Sequence, residues 1–293
     1  MNLPADKFKG KFQKTIYLTC NSFSVQGIGA IIVIVAVSTA ALLAGLITVH
    51  PSNLPSGAPF TPPCVEHFLG TDDLGIDIWS QIVYGGRTSI YVGIGTALLA
   101  GVAGALAGIA AGYFGGHTER LIMRLTDIMI ILPDLPLLIL VGAFFGPGIN
   151  NIILVLALFS WTHPARIVRS KVISIKEENY IKAAVSFGAG FRHILLRHFL
   201  PGVMPLLSVS VIRLTGRAIV AEAGLAFLGL GDPLSKSWGL ILNHAINFRG
   251  IYFTPFWKWW LMPPLIAITL LVFAIALVAR DLEKKINTKG VIS

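Results

Sequence analysis

Long apolar runs alternate with shorter polar segments along the whole of this 293-residue chain. An apolar run of about 20 residues is long enough to cross the hydrocarbon core of a bilayer as a helix. The third run contains Pro133 and Pro136, which predict a kink, and the fourth run is short. The pattern therefore predicts an all-α polytopic membrane protein with six transmembrane helices, at 28–49, 89–113, 125–145, 150–167, 203–230 and 261–279.

The composition agrees with this class. Hydrophobic residues make up 55% of the chain, charged residues make up 13%, and the mean hydropathy is +0.77. Soluble domains carry about 25% charged residues, so a soluble protein is excluded. The net charge of +9 comes from Lys and Arg residues that concentrate between the apolar runs. Membrane orientation accounts for that distribution, and no nucleic-acid partner is predicted.

The positive charges also predict which way the chain faces. Of the 23 Lys and Arg residues, 17 lie at the two termini or in the segments that follow spans two and four, and only four lie in the other loops. Cytoplasmic loops carry the excess of positive charge, so we expect a multi-pass protein of the cytoplasmic membrane with both termini in the cytoplasm. The predicted parts are an amino-terminal segment 1–27, a transmembrane domain 28–280 with a cytoplasmic loop at 166–202, and a tail 281–293.

The amino-terminal segment is amphipathic. Phe8, Phe12 and Ile16 are spaced four residues apart and are flanked by lysines. This spacing predicts a helix lying on the membrane surface. A solvated basic tail that only sets the orientation is the alternative.

Small residues repeat along the second span. Gly104, Gly108 and Gly112 are spaced four residues apart, with Gly93 and Gly101 on a neighbouring stripe. Small residues at this spacing let helix backbones approach closely. The stripes therefore predict helix packing rather than a ligand site.

Patterns of enzyme chemistry are absent from the sequence. No GxxxxGK[ST] phosphate loop is present, so nucleotide binding by this chain is not predicted. Cys20 and Cys64 flank the first span, and His193 and His198 are five residues apart, so no metal spacing is present. We expect no catalytic residue, no metal site and no cofactor in this chain.

Four ionisable residues within the spans are candidates for the transport pathway. They are Asp134, Arg213, Arg217 and Glu222. Such residues are costly in lipid and are functional candidates for that reason. Arg213 and Arg217 could form a charged patch for a carboxylate; alternatively, Arg217 neutralises Glu222, or Arg213 reaches the cytoplasmic interface. Asp127 is expected to pair with Arg124.

The loop between spans four and five contains the most specific motif, NYIKAAVSFGAGFRHILLRHFLP at residues 179–201. This segment resembles the cytoplasmic loop by which permease subunits of ABC importers contact their ATPase. That signature is Glu-Ala-Ala, three residues, Gly, nine residues, Ile, one residue and Leu-Pro. Lys182 stands at the acidic position and His198 at the Ile position. The matching residues are Ala183, Ala184, Gly188, Leu200 and Pro201.

The resemblance implies that this loop couples the permease to the ATPase. Gly188 permits a turn that larger residues resist, and Leu200-Pro201 are expected to stop the second helix of the loop before span five. Arg192 can meet acidic ATPase residues or lipid phosphates. The implied coupling residues are Lys182, Ala183, Ala184, Gly188, Arg192, Leu200 and Pro201.

Three further segments, 67–89, 111–129 and 221–239, resemble the dipeptide, oligopeptide and nickel permeases, although Ile76 stands where those proteins commonly have Arg. The resemblance implies the second, six-span permease of a pair, with type I importer architecture. Its implied partners are a homologous permease, two ABC ATPases that bind ATP and Mg, an extracytoplasmic substrate-binding protein and the lipid bilayer. Peptides are the expected cargo and nickel or a nickel chelate is the alternative. A stand-alone channel or secondary transporter and an intramembrane enzyme are remote alternatives.

Overall fold

The computed structural model describes residues 24–146, 148–233 and 235–290, and within these ranges the chain is helical apart from its loops and one isolated bridge between Thr71 and Asp77. The surface helix predicted for the first residues lies outside the described residues. The helices are α1 Val25–Leu42, α2 Ala44–Ile47, α3 Ile78–Phe114, α4 Gly116–Ile131, α5 Asp134–Phe145, α6 Ile149–Ser160, α7 Thr162–Glu177, α8 Asn179–Ser186, α9 Phe191–Ile194, the π-helical segment Leu195–Phe199, α10 Leu200–Phe227, α11 Trp238–Asn247, α12 Trp257–Trp260 and α13 Met262–Gly290.

Four helical stretches of the described residues are long and apolar enough to cross a membrane, namely α1, α3, the run from α9 to α10, and the run from α12 into α13. Two bent pairs raise the number to six if each pair is one span, as the apolar pattern predicts. The pair α4 and α5 bends by 101°, and the pair α6 and α7 by 43°. The first bend lies at Leu132 and Pro133, whose backbones are extended. Proline disfavours helical backbone in the residue before it, which explains the break.

Helix α3 is the central element of the fold. It packs most extensively on α7 and α10, and it also contacts α6 and α1. It begins at Ile78, not at Ser89 as predicted. The Asp77 side chain caps its first turn by accepting a hydrogen bond from the Ser80 amide at 2.8 Å. The early start places polar residues in the helix, which the hydropathy of the sequence did not indicate.

The two glycine stripes of α3 are packing faces, as predicted. A Cβ atom at Gly104 would lie 2.6 Å from the Trp161 carbonyl oxygen, and one at Gly108 would lie 2.5 Å from the Ala165 carbonyl oxygen. The second stripe faces α10, because a Cβ atom at Gly93 would lie 2.6 Å from Ile219. Helix α3 is thus held between α7 and α10 by close backbone approach.

A layer formed by the 48–77 loop, α11 and α12 covers the beginning of α3, at the end opposite to α8. The Asp72 carboxylate accepts hydrogen bonds from the Ile76 amide at 2.8 Å and from the Gln81 side chain at 2.7 Å. Trp238 of α11 is buried, and its indole donates to the Ile82 carbonyl at 2.8 Å. We call this part the cap layer.

Candidate functional site

The Gly188 turn predicted from the sequence is present. Helix α8 ends before it, and Gly188 has a φ of 81°, in the left-handed region that favours glycine. The Gly188 amide donates to the Val185 carbonyl at 2.9 Å, and the Ala189 amide donates to the Ala184 carbonyl at 3.0 Å. These two bonds form a Schellman motif, so the turn is a defined helix end rather than a loose loop.

The prediction that Leu200 and Pro201 stop a helix is wrong. Helix α9 continues through the π-helical segment directly into α10, and both residues lie within this continuous run. The Leu200 amide donates five residues back, to the Leu195 carbonyl. The wider π-helical turn accommodates Pro201, whose missing N–H falls in the first turn of α10. The coupling segment is therefore joined to span five by uninterrupted helix.

Buried apolar side chains anchor the 179–201 segment to the rest of the protein. Ile181 on α8, Ile194 on α9 and Phe199 are almost completely buried. They pack in one cluster with Val172 and Ile175 of α7. The segment therefore lies against α7 and cannot move independently of it without exposing this cluster.

The same segment also exposes apolar side chains. Phe187 is 91% exposed beside the turn, and Tyr180, Val185 and Leu196 are exposed as well. We call these four residues the apolar coupling face. Of the residues implied in coupling, Lys182, Ala183, Gly188, Arg192, Leu200 and Pro201 are exposed and Ala184 is half-buried.

Polar contacts join α7 to its neighbours. Arg169 forms an ion pair with Glu119 of α4, and Lys176 donates to the Tyr113 carbonyl of α3 at 2.7 Å. Asp127 pairs with Arg166 of α7, so its predicted pairing with Arg124 is wrong. Helix α4 runs beside α7, and this tertiary contact replaces the local pair. Helix α7 thus connects the coupling segment to both α3 and α4.

The ionisable residues predicted for the pathway do not form one cluster. Glu222 is 1% exposed and accepts a hydrogen bond from Ser89 of α3 at 3.0 Å. Arg213 pairs with Glu283 of α13. Arg217 has no ion pair with Glu222 in the structure, because five residues separate them by about 140° around the helix. The Asp134 side chain lies outside what is described, and its backbone begins α5 after the bend.

Two neighbouring clefts open along α10. The smaller one lies between α7, α10 and α13, and the larger one lies beside α4, α5 and α6. His163 and Arg217 line both. The structure thus brings His163 next to the predicted arginines, which the sequence did not indicate because the α6–α7 bend positions it.

The cap layer holds a group of ionisable residues that the sequence pattern did not indicate. Burial and the neighbouring Asp72 raise the pKa of Asp73. Burial and the charge of Lys236 lower the pKa of His244 below its usual value. Among the described residues, no group of three or more His, Cys, Asp or Glu side chains could hold a metal ion.

Comparisons with known proteins agree with this architecture. The family described as binding-protein-dependent transport system inner membrane component matches residues 104–287. A dipeptide transport system permease protein of Alkalihalophilus pseudofirmus is 34% identical over 277 residues, which is 92% of this chain and 86% of that protein. A glutathione transport system permease protein of Pectobacterium atrosepticum is 40% identical over 184 residues, 62% of this chain and 61% of that protein.

A solved structure supports the fold. A chain of the MetNI methionine ABC transporter, in a crystal form with inward-facing conformations, superimposes with a TM-score of 0.54 at 19% identity. The match covers 70% of this chain and 97% of the MetNI chain. Together these findings show that the chain belongs to the family of binding-protein-dependent transport system inner membrane components and is a multi-pass permease of the ABC importer fold.

Proposed function

We propose that this chain is one permease subunit of an ATP-driven importer of di- and oligopeptides. It would pair with a homologous permease, two ABC ATPases that bind ATP and Mg, and an extracytoplasmic binding protein. The observation that carries the proposal is the apolar coupling face, which stands next to a defined helix end at the matched motif positions. Exposed aromatic and aliphatic side chains outside the lipid need a protein partner to cover them.

The apolar coupling face would enter a groove of the ATPase. Phe187, the most exposed of its side chains, would be the main anchor. Lys182 and Arg192 at the rim would meet acidic residues of the ATPase and set its orientation. Ala183 and Ala184 leave little bulk, so the groove could close on the α8 backbone.

Movement of the ATPases would reach the membrane through α7. The buried cluster of Ile181, Ile194 and Phe199 fixes the coupling segment on α7, and the glycine stripe fixes α7 on α3. A displacement of the segment would therefore move these helices together as a rigid body. This arrangement supports alternating access in which ATP binding changes the side to which the pathway opens.

The cargo assignment follows from the relatives, whose names refer to dipeptide and glutathione transport. These names favour peptides, and they give no support to nickel. The residues proposed to line the pathway are Arg213, Arg217 and Asp134, the last of these at the bend before α5. Glu222 is buried against Ser89, so we propose that it holds α10 on α3.

Reconstitution tests this function directly. The complete complex, purified with its partner subunits and placed in proteoliposomes with its binding protein, should take up labelled dialanine only when ATP is present. The matched control omits the binding protein, and uptake should then fall to background. Uptake of Ni²⁺ with no uptake of dialanine would contradict the cargo, and ATP-independent uptake would contradict the mechanism.

The orientation of the chain makes a separate prediction. Cys64 lies exposed in the cap layer, for which the charge distribution predicts a position outside the cytoplasm. With Cys20 replaced by Ser, a membrane-impermeant maleimide should label Cys64 in intact cells. In a Cys64→Ser background it should label Asn287→Cys only after the membrane is opened. The reverse labelling pattern would invert the topology.

A further inference from the structure

The smaller cleft, which we call the arginine cleft, has the properties of a ligand site. Polar groups from three helices line it, together with an apolar wall. The polar residues are His163, Ser210, Arg213, Arg217 and Glu283, and the apolar residues are Ile167, Leu206, Val209, Leu214 and Ile286.

The arginines in this cleft are not equivalent. Arg213 is engaged in its ion pair with Glu283. Arg217 is exposed and makes no hydrogen bond or ion pair with the described residues. Ion-pair partners are usual for an arginine at membrane depth, so Arg217 offers an uncompensated guanidinium to an incoming anion.

Ser210 provides a second, independent observation. Ser210 is only 5% exposed, and its hydroxyl has no hydrogen-bond partner among the described residues. A buried hydroxyl without a partner is uncommon, because its burial costs free energy that a hydrogen bond to a ligand would recover. Ser210 lies seven residues before Arg217, so both side chains share one face of α10, with Arg213 between them.

We infer that the arginine cleft binds the carboxylate end of a peptide, with Arg217 as the main cation and Ser210 as a hydrogen-bond donor. The apolar wall receives the last side chain of the peptide. Glu283 competes with that carboxylate for Arg213. The inference rests on the proposed peptide transport and adds a binding site to it.

Protection of a cysteine in the cleft measures this binding. The complete permease and ATPase complex is placed in nanodiscs of phosphatidylcholine, with Leu206→Cys as the reporter and Cys20 and Cys64 replaced by Ser. Trialanine should slow the labelling of this cysteine by a small maleimide, and trialanine amide should not. Arg217→Gln should raise the trialanine concentration for half-protection by about tenfold or more, because it removes a charge-assisted hydrogen bond to the peptide carboxylate. Glu283→Gln should lower that concentration.

Arg249→Gln is the matched control, since it removes the same charge outside the cleft and should leave protection unchanged. Equal protection by the amide, or unchanged protection in Arg217→Gln, would overturn the site. Binding of an anionic lipid in the cleft would also overturn the peptide site. In that case, phosphatidylglycerol in the nanodisc would slow labelling in the absence of peptide, and Arg217→Gln would abolish this effect. These outcomes would refute the binding site alone, because the unaltered complex could still take up dialanine. Absence of dialanine uptake by the unaltered complex would refute the proposed function.

Discussion

Replacing Gly108 by Ala should destabilise the protein, although the same change in an exposed helix normally stabilises. The new Cβ atom would lie 2.5 Å from the Ala165 carbonyl oxygen and 2.8 Å from the Val168 side chain. A backbone oxygen cannot rotate away, so α3 and α7 must separate. Overpacking of this kind costs about 1–3 kcal/mol, and Gly108→Leu should prevent stable assembly.

Gly29→Ala is the matched control for this prediction. Gly29 lies in α1, and its Cβ atom would meet no atom within 4 Å. Alanine has the higher helix propensity by up to about 1 kcal/mol, so this variant should be neutral or slightly more stable. The midpoint of thermal unfolding in detergent should therefore fall in Gly108→Ala and stay unchanged or rise slightly in Gly29→Ala. A Gly108→Ala protein as stable as the unaltered one would show that the α3–α7 contact is looser than described.

The sequence was sufficient to predict features that depend on local pattern. Apolar runs of spanning length indicated the spans, which number six if each bent pair is one span, and proline at 133 marked the sharpest bend. The spacing of Gly104, Gly108 and Gly112 indicated a packing face, since close backbone approach needs small residues at that interval. The glycine of the matched motif indicated the turn at 188, where the backbone has a positive φ.

Features that depend on tertiary contacts could not be predicted. Helix α11 was not identified, because its short apolar pattern becomes a helix face only when Trp238 is buried and bonds to Ile82. Asp127 was predicted to pair with Arg124, its neighbour in sequence, but its partner in the structure is Arg166, 39 residues away. The continuity of helix through Pro201 depends on a π-helical turn, for which the sequence carries no distinct signal. The sequence also does not distinguish Phe187, which is exposed, from Phe199, which is buried, so the apolar coupling face could be defined only from the structure.

The exposure of Phe187 beside the Gly188 turn predicts how the coupling segment responds to replacement of this glycine by valine. The turn at Gly188 sets the angle between α8 and α9, and with it the direction in which Phe187 projects. Valine is branched at Cβ and strongly disfavours the positive φ of 81° at this position. The left-handed conformation alone costs a non-glycine residue roughly 1–2 kcal/mol. Nothing lies within 4 Å of the Cβ position, so the effect would come from backbone conformation and not from a clash within this chain.

Gly188→Val should therefore reduce the ATPase recovered with the purified permease pair by about tenfold or more, since 1.4 kcal/mol corresponds to a factor of ten. Membrane insertion should persist, because the spans are untouched, while peptide uptake should be lost. Gly190→Val is the matched control. Gly190 also has free space around its Cβ position, but its φ of −72° and ψ of 162° suit a branched residue, so this variant should retain the ATPase. Gly188→Asn should recover part of the association, because asparagine tolerates the left-handed region. Full ATPase recovery with Gly188→Val would disprove the role of the turn, and equal loss in both valine variants would assign the effect to bulk at the interface.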